Sequence, residues 1–189
     1  MKNLHLFNDK RKPKVIGWFD DFNGPHPYVA LSNFYIGEPL EIPQIDGDFM
    51  TGEHAFAYMK ADTRDEANWI RNAFDPGEAK MRGRQCVLRS DWEAVKYDAM
   101  MAVLRAKFTL DRLESEVLLS TGDALLVEGT FWGDSVWGID LRDDTVYATH
   151  GPGRNWLGTM LMARRAELKA ERMYNVSHQT GLFNALFAC

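Results

Sequence analysis

Cysteine is nearly missing from this sequence: Cys86 and Cys189 are its whole complement. Two thiols cannot build a disulfide framework, which points to a reduced setting, expected to be the cytoplasm. No run of 18 apolar residues occurs, so no segment reads as a membrane-spanning helix. Met1 to Lys14 are polar and basic with no apolar run behind them, and do not read as a secretory signal. Repeats and low-complexity tracts are lacking. So are a phosphate-binding P-loop, H-E-x-x-H, G-x-S-x-G and paired C-x-x-C motifs. The five histidines have no metal-ligand spacing, so neither a metal nor a cofactor is expected. Positive charge is in deficit too. A net charge of -5 excludes a broad nucleic-acid-coating surface, although local basic clusters leave room for an anionic ligand.

What is present is enough for one real core. The chain has 189 residues, 46% of them hydrophobic and 26% charged, in the range of one ordinary globular domain. Residues 15–50 are rich in Gly, Pro and aromatics. Val15-Ile16-Gly17-Trp18-Phe19 reads as a strand, while Pro25, Pro27, Pro39 and Pro43 forbid a long helix there. Helices take over beyond residue 50. Thr51 caps one expected from Gly52 to about Ala61, Thr63 with Glu66 has capping-box spacing, and Asp75-Pro76 opens a third. Ser90 with Glu93 reads as a further capping box. It precedes a helix carrying Trp92, Val95, Ala99, Val103 and Leu104 on one stripe. A helix is expected over 111–120, a buried strand over Leu125–Glu128, and irregular chain over 129–153. A long helix follows from about Asn155, with a small separate one within 173–189. The fold class is α+β, predominantly helical, with a minor β part near the N-terminal half.

Three constellations carry chemistry. In Glu53-His54-Ala55-Phe56-Ala57-Tyr58-Met59-Lys60, Glu53, Ala57 and Lys60 fall at i, i+4 and i+7, so one helix face would hold the acid and the amine. A plain surface ion-bearing face has the same pattern, and His54 is either structural or substrate-facing. Glu128, Trp132 and Asp134-Ser135-Val136-Trp137-Gly138 lie where an irregular loop leaves a buried strand. Tryptophans beside a carboxylate suit a planar base, or else form an aromatic plug with Asp134 as a turn residue. Gly151-Pro152-Gly153-Arg154-Asn155 leads into the last helix, where free backbone N–H groups with Arg154 and Asn155 would suit a phosphate; a Gly-Pro turn with an Asn cap is the alternative. Two basic clusters add to these. Lys10–Lys14 reads as a solvated arm, whereas Lys80-Met81-Arg82-Gly83-Arg84 lies inside the domain.

In order and spacing these pieces resemble the NADAR (YbiA-like) family. The resemblance runs from about Trp18 to Leu168. It is carried by Leu31-Ser32-Asn33-Phe34, Glu53-His54-x-Phe56-x-x-x-Lys60 and Ala79-Lys80-x-x-Gly83-Arg84, then Asp91-Trp92, Met100 and Lys107-Phe108. Leu118-Leu119-x-Thr121-Gly122, Glu128, Asp134-x-x-Trp137-Gly138 and Asn155-x-Leu157-Gly158-x-x-Leu161-Met162 complete it. Two departures bear on which base is accepted: Ala57, where many relatives carry Gln, and the insertion-like Gly129-Thr130-Phe131-Trp132 before Asp134. The resulting division is a basic leader at 1–14, the family-like domain at 15–171 and a C-terminal extension at 172–189.

The resemblance implies an N-glycosidase that breaks the C–N bond between a phosphorylated ribose and a base. Two substrate groups go with it: phosphoribosylated intermediates of riboflavin synthesis, and ADP-ribose attached to guanine in DNA or RNA. The basic leader favours the second, since a positive arm adds contacts to a nucleic-acid backbone. Breaking such a bond builds positive charge on the anomeric carbon and negative charge on the departing base. Glu53, in the first turn of its helix, is expected ionised and suited to a base or electrostatic stabiliser. Asp134 would hold the ribose hydroxyls or complete the acid–base pair. Lys60 would contact phosphate or attack the opened sugar as a Schiff base. Lys80 and Arg84 would bind phosphate, Asn33 would contact substrate, and Trp92 and Trp137 would wall the pocket, with core packing as the alternative for Trp92. A non-catalytic ADP-ribose or nucleotide-binding module is the rival class, and it has no need of an acid pair.

Overall fold

The computed structural model describes residues 15–18, 28–140, 142 and 153–186. The leader at 1–14, Phe19 and the Gly151-Pro152 turn lie outside the described residues. Local side-chain chemistry begins most of the early helices. Helix α1 (Gly52–Tyr58) starts where the Thr51 hydroxyl accepts from the His54 N–H. Helix α2 (Arg64–Arg71) starts at Thr63, which accepts from Glu66 N–H at 3.3 Å. In helix α3 (Pro76–Gln85), Asp75 accepts from Glu78 N–H at 2.7 Å with Pro76 in the first turn. Each satisfies donors that a helix start otherwise leaves unpaired.

Helix α4 (Trp92–Lys107) departs from the expected capping box. Its flanking residue is Asp91, and no side chain caps it, because the Asp91 carboxylate is held by Arg89 at 2.5 and 3.0 Å. Helix α5 (Leu113–Ser120) follows. Helix α6 runs unbroken from Trp156 to Leu186, where a long helix and a separate short one were expected. It contains no proline that would force a stop.

The β part is small. Strand β1 (Val15–Trp18) pairs parallel with β4 (Leu125–Thr130), and β4 pairs parallel with the two-residue β5 (Ile139–Asp140). Strands β2 (Leu40–Glu41) and β3 (Asp48–Phe49) form an antiparallel pair. The β part therefore does not sit only in the N-terminal half: β4 and β5 come from 125–140, a stretch read as irregular beyond Glu128. Helix α6 packs on β4 and α4, and α1 sits among α2, α3 and α4. Leu31, Phe49, Phe56, Val103, Leu104, Phe108, Leu118, Leu126 and Leu161 are buried in one cluster between these elements. The stripe Trp92, Val95, Ala99, Val103 faces it. The result is a mixed α/β domain, mostly helical with a minor sheet. Among the described residues no helix is long and apolar enough to cross a membrane.

Candidate active site

A cavity of about 230 Å³ opens where α1, α3, α4, the 32–34 turn and the loop after β4 meet. Ser32, Asn33, Phe34, Glu53, Phe56, Lys60, Lys80, Arg84, Met100, Glu128, Trp132, Asp134, Trp137 and Leu157 line it. Asn33, Glu53, Lys60, Lys80, Arg84, Asp134 and Trp137, dispersed over a hundred residues of sequence, thus share one wall. A second cavity of about 270 Å³ shares Phe56, Lys60, Asp134 and Trp137 with the first, and Trp92 lines that one.

Glu53 is delivered by the first turn of α1. Its backbone N–H donates to the Asn33 carbonyl at 2.9 Å, tying it to the 32–34 turn. The helix start favours an ionised carboxylate, and burial works against it. Burial pushes the Glu53 carboxyl above the ordinary carboxylate value, against the pull of Lys60, Lys80 and Arg84, with Asp134 adding to the rise. Desolvation of the whole side chain outweighs both the dipole of a seven-residue helix and three cations.

Lys60 lies beyond α1, which ends at Tyr58 rather than near Ala61. Its backbone is held by the 87–89 segment, where Arg89 N–H donates to the Lys60 carbonyl at 2.9 Å. The ammonium sits 5.0 Å from the Phe56 ring centroid and 6.0 Å from that of Trp92. Burial pushes this amine below the ordinary lysine value, opposed first by Glu53. Among the described residues it has no ion-pair or hydrogen-bond partner.

Lys80 and Arg84 come from one face of α3. That helix approaches α1 closely at Gly83, where a Cβ would stand 2.8 Å from the Ala57 Cβ. Ala57, the departure from many relatives, is therefore filled against Gly83. The Lys80 ammonium lies over two aromatic rings, 5.1 Å from Phe34 and 4.8 Å from Trp132. Arg82 turns away from the cavity to Glu78 at 2.8 Å and stacks on Trp69.

Asp134 keeps a turn role and a cavity position together. Its Oδ1 accepts from Val136 N–H at 3.0 Å and Trp137 N–H at 2.9 Å, which aims Trp137 inward against Phe56 and Tyr97. Gly138 lets the loop return to β4, since a Cβ there would meet the Glu128 carbonyl at 2.6 Å. Trp92 is buried against Phe56 and belongs to the core as well as to the second cavity.

Three expected residues lie outside the cavity lining. His54 is fully buried, and its ring spans the Thr51 hydroxyl at 2.8 Å and the Ala73 carbonyl at 3.2 Å. The carbonyl requires Nε2–H, which leaves Nδ1 to accept from Thr51 in a neutral ring, and burial lowers the His54 pKa accordingly. Asn155, at φ 50°, clamps β4: its Oδ1 accepts from Glu128 N–H at 3.0 Å and its Nδ2 donates to the Leu126 carbonyl at 2.8 Å. Arg154 is exposed. The free amides expected at this helix start are not free. The N–H groups of Arg154, Asn155, Trp156 and Leu157 donate to the carbonyls of Ser135, Gly138, Val136 and Trp137. Phe56, Met100 and Trp132 also line the cavity: Phe56 and Met100 belong to the family-like motifs without an expected site role, and Trp132 was read with Glu128 and Asp134 as a residue that could stack on a base or plug the core. Among the described residues no cluster of His, Cys, Asp or Glu is placed to hold a metal.

The comparisons with known proteins agree with one another. The model of the NADAR domain family matches residues 21–169. The protein named N-glycosidase YbiA from Escherichia coli (strain K12) is 35% identical over 152 residues, which is 77% of this chain and 84% of that protein. An NMR structure of E. coli YbiA superposes with a TM-score of 0.69 at 32% identity, covering 86% of this chain and 89% of that one. The chloroplastic riboflavin biosynthesis protein PYRR of Zea mays is 30% identical over 160 residues; the match takes in 75% of this chain but only 23% of the maize protein.

Proposed function

This chain belongs to the NADAR family, and on that premise we propose that it is an N-glycosidase cleaving the C–N bond between a phosphorylated ribose and a base. The carrying observation is a desolvated Glu53 that shares a cavity with Lys60, Lys80, Arg84 and Asp134. Lys80 and Arg84 suit the phosphate, as charge-assisted contacts. Trp137 lies along the ring or base. Asp134, fixed through one oxygen by two backbone amides, accepts from the ribose hydroxyls through the other. Glu53, with its raised pKa, donates a proton to the departing nitrogen, so the base leaves neutral.

The depressed basicity of Lys60 suits a nucleophile better than a phosphate anchor. Its neutral amine attacks C1 of the closed sugar, and the C1–N bond to the base breaks as the proton from Glu53 reaches the base nitrogen. The C1–O4′ bond then opens, a proton passes from the Lys60 nitrogen to O4′, and a protonated imine joins Lys60 to C1. Water adds to C1, the C1–N bond to Lys60 breaks, and the sugar leaves as its aldehyde while the extra proton returns to Glu53 and the amine is neutral again.

The relatives named N-glycosidase support the class of reaction, and the substrate is one of the two groups that the family resemblance implies. A panel separates them: the phosphoribosylamino-pyrimidine intermediate and an oligonucleotide carrying ADP-ribosylated guanine, each assayed for free base and for ribose phosphate or ADP-ribose. Release from either supports the N-glycosidase, and the faster of the two names the substrate. Intact substrates across the panel, with binding retained, would reduce the protein to a nucleotide-binding module.

A further inference from the structure

Trp132 stands in a position that core packing does not explain. It follows β4, lines the cavity, and is still 40% exposed. Tryptophan is highly buried on average, so a half-wet ring at a cavity edge is a cost that a ligand can remove. Its ring is already used once, by the Lys80 ammonium at 4.8 Å, which also lies 5.1 Å from the Phe34 ring. The cavity itself is small. At about 230 Å³ it falls below the roughly 300–1,000 Å³ of sites that enclose a drug-sized ligand. Lys80 and Trp132 line this cavity and not the adjoining one of about 270 Å³, which Trp92, Glu93 and Lys96 line instead; a ring system joined through a phosphate on Lys80 therefore meets Trp132 at the edge.

We propose that Trp132 is the stacking platform for a second, non-reacting planar heterocycle, joined through phosphate to the reacting ribose. This rests on the assignment of the cavity to a phosphorylated ribose. Lys80 then holds the linking phosphate while its neighbour Trp132 carries the outer ring, so one aromatic–cation pair reads both features of a nucleoside diphosphate. Stacking of this kind tolerates any base, because every base has a π-face. Trp132 thereby sets a preference for dinucleotide-sized over mononucleotide-sized ligands. A residue that only steadied Lys80 would set no such preference.

The test is calorimetric binding of ADP-ribose and of ribose 5-phosphate to the full chain, its Trp132→Ala variant and its Trp132→Phe variant. Melting curves first show that each variant is folded. The wild type binds ADP-ribose more tightly. Trp132→Ala loses about 5- to 150-fold in ADP-ribose affinity, the range one base–aromatic stack supplies, and less than about twofold for ribose 5-phosphate. Trp132→Phe keeps most of the difference. Equal losses for both ligands, or no loss for ADP-ribose, overturn the platform. Equal wild-type affinity for the two also overturns it and leaves the ribose-phosphate assignment standing. A wild type that binds neither ligand overturns both.

Discussion

Lys107 is a buried cation with no part in the proposed chemistry, and replacing it with methionine tests how the cavity wall is held. The residue ends α4 and is 2% exposed. Its ammonium donates to the Ser32 carbonyl and lies over the rings of Tyr35 at 5.6 Å and Phe108 at 5.3 Å. Ser32 precedes Asn33, whose carbonyl receives the Glu53 N–H. Burial pushes the Lys107 pKa from 10.5 down to about 7, with Glu114 opposing the shift and Arg112 adding to it. The folded protein therefore holds fewer protons than the unfolded chain between about pH 7 and pH 10.5. Stability must rise with pH across that window, because below it the buried ammonium is charged at full desolvation cost. The slope is at most about 1.4 kcal/mol per pH unit for one proton. From pH 6 to pH 9 the wild type should gain about 2–3 kcal/mol relative to Lys107→Met, or roughly 5–10 °C in melting temperature for a domain of this size. Denaturation of both proteins at pH 6, 7, 8 and 9 reads the difference directly. A difference that stays flat within about 0.5 kcal/mol would refute the reasoning, since other titrating groups cancel between the two proteins.

Three further outcomes are expected. Gly83→Ala places a Cβ 2.8 Å from the Ala57 Cβ, so α3 must move off α1; chemical denaturation should show a loss of about 1–3 kcal/mol, and turnover should fall as Lys80 and Arg84 shift. The pH–rate profile should fall as pH rises through the elevated Glu53 pKa, because the acid form is consumed, and should rise through the depressed Lys60 pKa, because the neutral amine appears. Glu53→Gln should remove the falling limb of that profile. Borohydride added during turnover should leave a covalent sugar phosphate on Lys60, located by peptide mass spectrometry and absent from Lys60→Arg; failure to trap it would return Lys60 to phosphate binding.

Where a feature depends on neighbours in sequence, it was readable. The caps at Thr51, Thr63 and Asp75 are side chain to backbone contacts within three residues, and they form as expected. The Ser90–Glu93 box has the same local pattern, but Arg89 takes up Asp91 and the helix begins one residue later without a side-chain cap. Strand β5 has two residues, and its pairing partner β4 is set by the fold, so no alternation pointed to it. The amides before α6 looked available because the carbonyls of residues 135–138 that use them reach them only through tertiary folding. Glu53 is the sharpest case. A helix dipole can be read from position, whereas burial cannot, and burial is the largest influence on its pKa, pushing it up. Pattern and resemblance pointed to Asn33, Glu53, Lys60, Lys80, Arg84, Asp134 and Trp137, which share one cavity; Trp132 stood out as a loop tryptophan near a carboxylate, and the structure places it at the cavity beside Lys80.

The central claim is that the Glu53 cavity breaks a ribosyl C–N bond. Its most direct test is single-turnover release of free base from the better substrate of the panel, wild type against Glu53→Gln, with affinity and melting temperature measured on the same preparations. The account predicts at least about a hundredfold slower release from Glu53→Gln, with affinity nearly unchanged. Unchanged release from a folded Glu53→Gln protein would contradict it.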